Sequence, residues 1–365
     1  MRVAVTGAHG QLGFFLVARL RYHHGMNIVP IDRSVFSDTE ALSAALDGCD
    51  AVVHLAGVNR GSDEDVAEGN RRLAETLAKA LRANARSPAL LYASSIQRDR
   101  GTVYGQSKAA AADILAECAR TLSAPFSEIV LPNLFGEFTR PFYNSFVGTF
   151  CHQIGNGEEP TVKGDAELEL MHYWEAADVF ADILKRGEEG EVRPRGLVTS
   201  VGQVAATLKE FAAEYATGVI PDLRPPLALD LFNTYRSAVF ASMFPFALTR
   251  HADQRGSFFE CVRSFNSGQT SFSTTVPGIT RGNHFHFHKV ERFLVISGQA
   301  RISIRKLGSN KPIHYDVDGD RPAFIDMPTL HTHSITNTGS SELLTIFWSH
   351  DLFNPETPDT YLEAV

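Results

Sequence analysis

A glycine-rich turn near the start of the chain constrains the fold more than any other feature. Residues 2–6 are apolar enough for a buried strand, and Gly7, Gly10 and Gly13 follow before leucines at helical spacing. Gly7 allows a tight turn, Gly10 lets a pyrophosphate approach the backbone, and Gly13 lets the helix pack closely against the strand. The helix N-terminus then offers amide donors to a phosphate. This order of strand, turn and helix predicts a dinucleotide-binding domain.

Two further strand ends complete the predicted cofactor site. Residues 28–31 form a second strand that ends in Asp32 and Arg33. Asp32 would accept a hydrogen bond from the ribose 2′-hydroxyl of NADH, whereas Arg33 would pair with the 2′-phosphate of NADPH. Arg33 favours NADPH, and NADH stays possible. Residues 51–55 form a third strand, and the small residues after it let the adenosine half of the cofactor lie close. The predicted cofactor-binding residues are Gly7, Gly10, Gln11, Leu12, Gly13, Asp32, Arg33, Leu55, Ala56 and Gly57.

Strands and helices alternate through the first part of the chain, which predicts a parallel sheet wound on both faces. Tyr104 and Lys108 follow the fourth strand, residues 89–94. On a helix these two residues are one turn apart, so the Lys108 ammonium can lie near the phenol and favour its ionised form. A tyrosine in that position is a usable general acid.

The residues above resemble the extended short-chain dehydrogenase/reductase superfamily, in its nucleotide-sugar branch. The resemblance implies a catalytic triad of Ser95, Tyr104 and Lys108. Ser95 and Tyr104 are closer in sequence than is usual in that family, so Ser94 is an alternative for the serine role. Asn133 lies in a segment that resembles the one lining the sugar-nucleotide pocket, which implies a contact with the substrate. An ordinary loop after a strand is the alternative for that segment.

Histidines cluster in the last third of the chain, where eight of the fourteen follow residue 250. His284 and His286 are two residues apart in a strand-like run, so their side chains leave the same face. Glu291 can return to them on the next strand, and His333 supplies a fourth candidate ligand. Imidazole and carboxylate ligands suit zinc, iron, nickel or manganese better than calcium. The sequence therefore predicts a divalent metal site.

The run that contains these ligands resembles the two cupin motifs. The first motif is matched in full by Gly278, His284, His286, Glu291 and Gly298. The second motif is matched by Pro328, His333 and Asn337, with Leu330 where the family usually has a turn glycine. Short strands with turn signals, among them 258–264 and 269–275, are typical of a small all-β barrel. The resemblance implies a cupin fold with a bound divalent metal, for which zinc is favoured.

We therefore predict two domains. Residues 1–245 form an α/β Rossmann domain with a doubly wound parallel sheet, and residues 246–365 form an all-β cupin domain, a double-stranded β-helix or jelly roll. A formal charge of −8 without a basic run argues against a nucleic-acid partner. The four scattered cysteines fit free thiols in a reducing compartment. No segment resembles an export signal or an apolar span of about 18 residues, so we expect a cytoplasmic protein without a membrane partner.

The order of the two domains points to a function. Residues 253–260 and 281–284 resemble the deoxysugar 3,5-epimerases, which act beside a 4-keto group without a metal, so the metal ligands are a difference from them. Reductase followed by cupin resembles the bifunctional UDP-sugar enzymes of capsular-polysaccharide synthesis. This implies that the cupin domain epimerises C3 of a UDP-4-keto-6-deoxy-N-acetylhexosamine and that the Rossmann domain reduces C4 with NADPH. The implied product is UDP-2-acetamido-2,6-dideoxy-L-talose, for N-acetyl-L-fucosamine synthesis in capsule or O-antigen.

Several alternatives stay open. An epimerising pocket needs a base, an acid and an electropositive partner for oxygen, and the metal is either that partner or a brace for the barrel. The candidate bases are His288, Asp253, Lys289 and Tyr315. In an alternative hypothesis, the first domain is an NAD-dependent nucleotide-sugar epimerase or dehydratase. The alternatives for the cupin are an oxygenase, an isomerase, or a non-catalytic module that binds sugar and dimerises. Because cupins commonly pair, the resemblance implies a homodimer.

Overall fold

The chain packs into two compact units that differ from the expected domains. The structure, a computed structural model, describes residues 1–84, 87–162, 164–254 and 256–365. The first unit contains residues 1–135 and 166–199, and the second contains residues 136–165 and 200–365. The expected boundary at residue 245 therefore falls inside the second unit. Arg255, in the segment that resembles the 3,5-epimerases, lies outside the described residues.

The helices and strands are numbered in chain order. The α-helices are α1 (Gln11–Ala18), α2 (Arg33–Ser37), α3 (Thr39–Leu46), α4 (Asp63–Arg82), α5 (Val103–Leu122), α6 (Phe146–Gly155), α7 (Tyr173–Arg186), α8 (Val201–Tyr215) and α9 (Ala228–Met243), with a π-helical turn at Arg19–His23 and a 3₁₀ turn at Ile96–Asp99. The strands are β1 (Arg2–Thr6), β2 (Asn27–Ile31), β3 (Ala51–His54), β4 (Ala89–Ser95), β5 (Phe126–Leu131), β6 (Asn133–Phe135), β7 (Glu167–His172), β8 (Gly190–Val192), β9 (Leu197–Ser200), β10 (Val219–Ile220), β11 (Phe246–Ala247), β12 (His251–Asp253), β13 (Gly256–Phe258), β14 (Arg263–Ser264), β15 (Gln269–Thr275), β16 (Thr280–Phe285), β17 (Glu291–Ser297), β18 (Gln299–Lys306), β19 (Ile313–Asp318), β20 (Ala323–Met327), β21 (His331–Asn337), β22 (Leu343–Ser349) and β23 (Tyr361–Leu362). Within the described residues, no helix joins enough length to enough apolar character to cross a membrane.

The first unit is built on a parallel sheet with the strand order β2-β1-β3-β4-β5-β8. Leu77 and Leu115 bring α4 and α5 onto one face of this sheet. On the other face, Leu16 and Phe180 bring α1 and α7 into a second core. The chain leaves β1 for β2 on one side and continues to β3 on the other, so a crevice opens at the carboxyl ends of β1 and β3. The predicted doubly wound Rossmann-type sheet is confirmed.

The second unit contains two five-stranded antiparallel sheets among its described residues. Their strand orders are β11-β20-β17-β22-β15 and β19-β18-β21-β16-β23. Alternating side chains form their cores: along β18, for example, Ala300, Ile302 and Ile304 are buried. The predicted all-β character of this region is confirmed, and its assignment as a cupin stays a prediction.

The predicted strand over residues 258–264 is wrong. The structure divides this segment, because its two ends pair with different partners. Gly256–Phe258 pairs with β12 as an antiparallel hairpin, whereas Arg263–Ser264 pairs with β10 in parallel. The strand predicted at 269–275 matches β15.

A buried ion pair attaches α8 to the antiparallel sheets. Arg292 of β17 donates from Nε to Asp326 Oδ1 at 2.7 Å, and both side chains are buried. Tyr215, the last residue of α8, donates to the other oxygen of Asp326 at 2.7 Å. Arg292 also donates to the Gly218 carbonyl at 2.8 Å. A buried charge pair is tolerated only when its remaining donors are satisfied in this way. These contacts explain why α8 belongs to the second unit.

Candidate functional site

The predicted cofactor loop lies against the end of β3. Gly7 has φ +69°, and a Cβ atom there would lie 2.8 Å from the Ala56 nitrogen. A Cβ at Gly13 would lie 2.1 Å from the Gly7 carbonyl oxygen, so the first turn of α1 packs directly on the glycine turn. Gly10 is the N-cap of α1, which aims the free amides of that helix at the crevice. The loop at residues 7–13 and the segment at residues 55–57 therefore line the same crevice.

We expect Gly13→Ala to destabilise the first unit by about 3 kcal/mol, because its methyl group would overlap a backbone oxygen that cannot move independently. Urea unfolding followed by circular dichroism measures this loss, and fluorescence titration with NADPH measures the accompanying loss of cofactor binding. Gly101→Ala is the matched control, since a Cβ at Gly101 meets no atom within 4 Å. Equal stability and equal NADPH affinity in the two variants would contradict the requirement for close packing at Gly13.

Asp32 and Arg33 lie together at the carboxyl end of β2. Asp32 caps α2: its Oδ1 accepts from the Ser34 hydroxyl at 2.6 Å and from the Val35 amide at 2.9 Å. These two hydrogen bonds, the one from Ser34 first, hold the pKa of Asp32 below its usual value. Arg33 is exposed at the start of α2. The structure thus leaves both residues available to a ribose bound in the crevice.

Tyr104 and Lys108 lie on the first turns of α5, and Lys108 reaches into the core of the first unit. Lys108 Nζ donates to the Ala93 carbonyl at 2.6 Å and lies 4.3 Å from the centre of the Tyr92 ring. Burial lowers the pKa of Lys108 to about 7, against the opposing influence of the Glu128 carboxylate. A Cβ built on Gly57 would lie 3.9 Å from Lys108 Nζ, which places this amine beside the end of β3.

The expectation that Lys108 favours an ionised Tyr104 is contradicted. Burial raises the pKa of Tyr104. The physical reason is that the phenol is largely removed from water, which disfavours its ionised form. The Lys108 amine is bound by the Ala93 carbonyl and lies over the Tyr92 ring. A phenol with a raised pKa keeps its proton at neutral pH, and this is the state that a general acid requires.

The short connection from Ser95 to Tyr104 contains a 3₁₀ turn. Ser95 ends β4, is half-buried, and accepts a hydrogen bond from the Gln97 amide at 3.2 Å. Ser94 is buried, and its hydroxyl has no hydrogen-bond partner within the described part of the chain. A Cβ at Gly105 would lie 2.0 Å from the Gln97 carbonyl oxygen, so α5 begins directly against this turn. Sequence reasoning missed Gly105, whose position next to Tyr104 was the available signal.

Two cavities of the first unit adjoin these residues. One of 410 Å³ is lined by Tyr104 together with Asn59, Arg60, Gly61, Asp63, Val66, Thr102 and Val103. The other, of 420 Å³, is lined by Asn133 together with Ile96, Arg100, Val130, Glu167, Leu168, Glu169, Arg193, Pro194, Arg195 and Val198. Asn133 Nδ2 donates to the Glu169 carbonyl at 3.2 Å. Sequence reasoning missed the arginines of the second cavity, which come from segments far apart in the chain.

The charges of the second cavity are partly compensated. Arg193 pairs with Asp99 at 2.7 Å, and Arg195 pairs with Glu169 at 2.9 Å. Arg100 makes no side-chain hydrogen bond or ion pair within the described residues. A cavity with an uncompensated guanidinium and an apolar wall suits an anionic ligand that also carries a ring.

The four predicted metal ligands come together in the second unit. His284 is on β16 and His333 is on the neighbouring β21, where the two are paired in register. His286 directly follows β16, and Glu291 begins β17 of the other sheet. One potential ligand atom from each residue lies within 4.8 Å of all the others. The cluster therefore links the two antiparallel sheets.

Backbone carbonyls fix the orientation of two of these imidazoles. His286 Nδ1 lies 2.5 Å from the Asp359 carbonyl oxygen, and His333 Nδ1 lies 3.2 Å from the His331 carbonyl oxygen. Because a carbonyl oxygen only accepts, both Nδ1 atoms carry a proton, and each ring turns its Nε2 towards Glu291. Glu291 Oε2 is 2.8 Å from His286 Nε2, from which it accepts, and 3.6 Å from His333 Nε2.

This arrangement fits a bound cation. His333 Nε2 is buried and has no hydrogen-bond partner within the described residues, although a carboxylate lies just beyond hydrogen-bond distance. Burial, and then the neighbouring His333, lowers the pKa of His284 to about 3, so this ring stays neutral in mild acid. Although burial alone would lower it, the Glu291 carboxylate raises the pKa of His286. Three imidazoles and one carboxylate are a donor set that suits zinc and other divalent transition metals.

Unusual backbone conformations surround the cluster. Leu330, which replaces the turn glycine of the second motif, has φ +58°, the left-handed conformation that a glycine adopts easily. Its amide donates to the His286 carbonyl at 2.8 Å, and its carbonyl accepts from the Leu307 amide at 2.9 Å. Gly282 has φ +97° at a β-bulge, where a Cβ would lie 2.7 Å from the His333 carbonyl oxygen. Strained backbone of this kind is common at functional sites.

The candidate bases have different surroundings. His288 and Lys289 lie in the loop between His286 and Glu291, and Lys289 Nζ donates to the Pro358 carbonyl at 2.9 Å. Tyr315 is on β19, where burial raises its pKa. Asp253 is exposed on β12. The loop therefore places His288 and Lys289 next in sequence to metal-ligand candidates.

With this geometry established, the chain can be compared with known proteins. A sequence profile described as the NAD dependent epimerase/dehydratase family matches residues 3–195. The chain belongs to this family. A second profile, described as the polysaccharide biosynthesis C-terminal domain, matches residues 251–361. Membership of an NAD dependent family supports the predicted nicotinamide cofactor, and it agrees with the glycine loop and the crevice of the parallel sheet.

Two relatives of this epimerase/dehydratase family member extend over both units. A UDP-2-acetamido-2,6-beta-L-arabino-hexul-4-ose reductase from Pseudomonas aeruginosa is 35% identical over 371 residues, which cover 100% of this chain and 99% of the relative. The crystal structure of the capsular polysaccharide assembling protein CapF from Staphylococcus aureus is 32% identical, covers 100% of both chains and has a TM-score of 0.61. The UDP-N-acetylglucosamine 4-epimerase from Bacillus cereus shares the fold: it is 23% identical over 58% of this chain and 82% of its own, with a TM-score of 0.53.

Proposed function

We propose that this chain is a bifunctional UDP-sugar enzyme. Its second unit epimerises C3 of a UDP-4-keto-6-deoxy-N-acetylhexosamine, and its first unit reduces the C4 ketone to give UDP-2-acetamido-2,6-dideoxy-L-talose for capsule or O-antigen synthesis. The proposal rests above all on the position of Tyr104 and Lys108 beside the glycine-lined crevice. The Pseudomonas aeruginosa relative, a 4-ulose reductase by name, supports the same reaction for this chain.

The cofactor is NADPH, with NADH as the alternative, and when bound it supplies a hydride to the C4 carbon. The free amides at the start of α1 bind its pyrophosphate, and Gly7 and Gly13 keep the backbone close enough for that contact. Arg33 binds the 2′-phosphate of NADPH, whereas Asp32 would accept from the 2′-hydroxyl of NADH. Leu55, Ala56 and Gly57 lie beside the adenosine half.

Tyr104 is the general acid of the reduction. Its phenol keeps its proton at neutral pH and donates it to the alkoxide that develops on O4. Lys108 contributes positive charge behind the phenol, and Ser95 donates a hydrogen bond that orients the ketone. The cavity around Asn133 binds the UDP part of the substrate, with Arg100 facing the diphosphate.

The second unit acts on the proton at C3. That proton is acidic because the C4 ketone can hold the charge of the enolate. His284, His286, Glu291 and His333 hold a divalent metal, most suitably zinc, which when bound supplies positive charge to oxygen. His288 and Lys289 are the base candidates that lie closest in sequence to these ligands, and Asp253 and Tyr315 are the others. We also propose a homodimer, by analogy with cupin folds.

Two incubations test the proposed function. In D₂O without nicotinamide, the UDP-4-ketosugar should gain deuterium at C3; with NADPH added, one equivalent should be oxidised and NMR should identify the L-talo product. A product that keeps both its C3 proton and its C3 configuration would refute the epimerase. Tightly bound NAD and interconversion of C4 epimers without added NADPH would favour the alternative, an NAD-dependent epimerase or dehydratase with a non-catalytic cupin that binds sugar and dimerises.

A further inference from the structure

The segment around residues 358–363 lies beside the metal-ligand strand. The short strand β23 pairs with β16 in antiparallel register, so that Leu362 faces His284 and Tyr361 faces Phe285. The Tyr361 ring stacks on the Phe285 ring with centroids 5.4 Å apart and meets the edge of the Phe287 ring at 4.9 Å. Residues 358–363 are thereby fixed against the loop that carries His286, which lies about 70 residues earlier in the sequence.

Asp359 forms four hydrogen bonds with that loop. Its Oδ1 accepts from the Phe287 amide at 3.0 Å, and its Oδ2 accepts from the amides of His288 at 2.9 Å and Lys289 at 3.0 Å. Its backbone carbonyl accepts from His286 Nδ1 at 2.5 Å. A single residue therefore holds the four consecutive residues that follow β16.

The geometry at Asp359 sets the orientation of His286. The carboxylate gathers three successive amides, so the loop cannot relax without breaking bonds to a charged acceptor. The Asp359 carbonyl accepts from Nδ1 of His286, and Nε2 consequently points to Glu291, 2.8 Å from its Oε2. Asp359 itself has φ +44°, a conformation that is uncommon for a residue other than glycine. Its carboxylate faces these three amides and is not part of the four-residue cluster.

We propose that Asp359 is a positioning residue for the metal centre. It presents His286 in the tautomer and direction that a divalent cation needs, and it fixes the loop between His286 and Glu291, two ligands whose distances to the metal must be held within about 0.2 Å. This role rests on the metal centre of the proposed function. Asp359 is a residue outside both metal-ligand motifs that holds a metal ligand in place.

Zinc affinity of the full-length protein tests this role. We expect Asp359→Asn to bind zinc about 10- to 100-fold more weakly in competition with a chromogenic chelator, since an amide oxygen cannot replace two carboxylate oxygens towards three donors. Asp359→Gly leaves the carbonyl in place and removes both the carboxylate and the positive-φ restriction, so it should lose affinity to a similar extent. The matched control is Asp351→Asn, because Asp351 Oδ1 accepts from the amide of its neighbour Leu352 at 2.9 Å and not from the loop between His286 and Glu291.

Cobalt substitution adds a readout of ligand geometry. The visible absorption of the Co²⁺-loaded protein should change in Asp359→Asn and stay unchanged in Asp351→Asn. Wild-type zinc affinity together with a wild-type cobalt spectrum in Asp359→Asn would overturn the positioning role, even if thermal stability fell. Failure of the wild-type protein to bind zinc would refute the metal centre and this role with it, so the two failures are distinguishable.

Discussion

Tyr104→Phe should lower kcat for the NADPH-dependent reduction by about 10³-fold, because the alkoxide that develops on O4 loses its proton donor. The substitution removes one oxygen from a residue that packs at the start of α5, so the fold should be kept. NADPH affinity should stay within about twofold of the wild type, since the phenol is not part of the glycine loop. Stopped-flow absorbance at the nicotinamide band measures the reduction, and fluorescence titration measures the affinity.

The same variant separates the two proposed reactions. Deuterium exchange at C3 in D₂O should proceed at the wild-type rate in Tyr104→Phe, because the groups assigned to that reaction belong to the second unit. Tyr22→Phe, the same change elsewhere in the first unit, should leave both reactions unaltered. Loss of both reactions in Tyr104→Phe would show that they share one catalytic group, and full reduction in this variant would remove Tyr104 from the role of general acid.

Local sequence patterns predicted most of the first unit. Burying one face of an element makes apolar residues recur every two residues in a strand and every three to four residues in a helix. This pattern predicted the bounds of β1 and the position of Tyr104 on a helix. The protonation preference of Tyr104 could not be read in this way. It depends on the burial of the phenol, which raises the pKa of Tyr104. A one-turn spacing carries no information about that burial.

In the second unit, local sequence spacing predicted the metal ligands but not the residues that orient them. The spacing of His284, His286 and Glu291 is local and predicted their common position, and the second motif predicted that His333 joins them, as it does from the neighbouring strand. Asp359 gave no signal, because its hydrogen bonds reach a loop about 70 residues earlier in the chain. The packing of α8 onto the sheets was also missed, since it rests on the long-range contact between Tyr215 and Asp326. Ligand spacing is a local property, whereas the residues that orient ligands are often distant in sequence.

The metal is either an electropositive partner for oxygen or a brace for the sheets. Removing the metal should give a different result in each case. If it acts on oxygen, chelation should slow C3 exchange by at least about 10²-fold while the protein stays folded, and added zinc should restore the rate. If it braces the sheets, chelation should lower the melting temperature and slow exchange only near that temperature. Elemental analysis, deuterium exchange and thermal unfolding of the same samples distinguish the two.

Glu291→Gln gives the sharper form of this test. The amide removes the negative charge that His286 and His333 face, so we expect metal content to fall well below one equivalent and C3 exchange to fall by about 10²-fold. NADPH-dependent reduction of a substrate already epimerised at C3 should be retained. His314→Ala is the control, since His314 is exposed on β19 and contacts the Ser303 hydroxyl at 2.8 Å. Unchanged metal content and unchanged exchange in Glu291→Gln would leave the second unit as a sugar-binding module, because the buried carboxylate at the histidine cluster would then serve neither the metal nor the reaction.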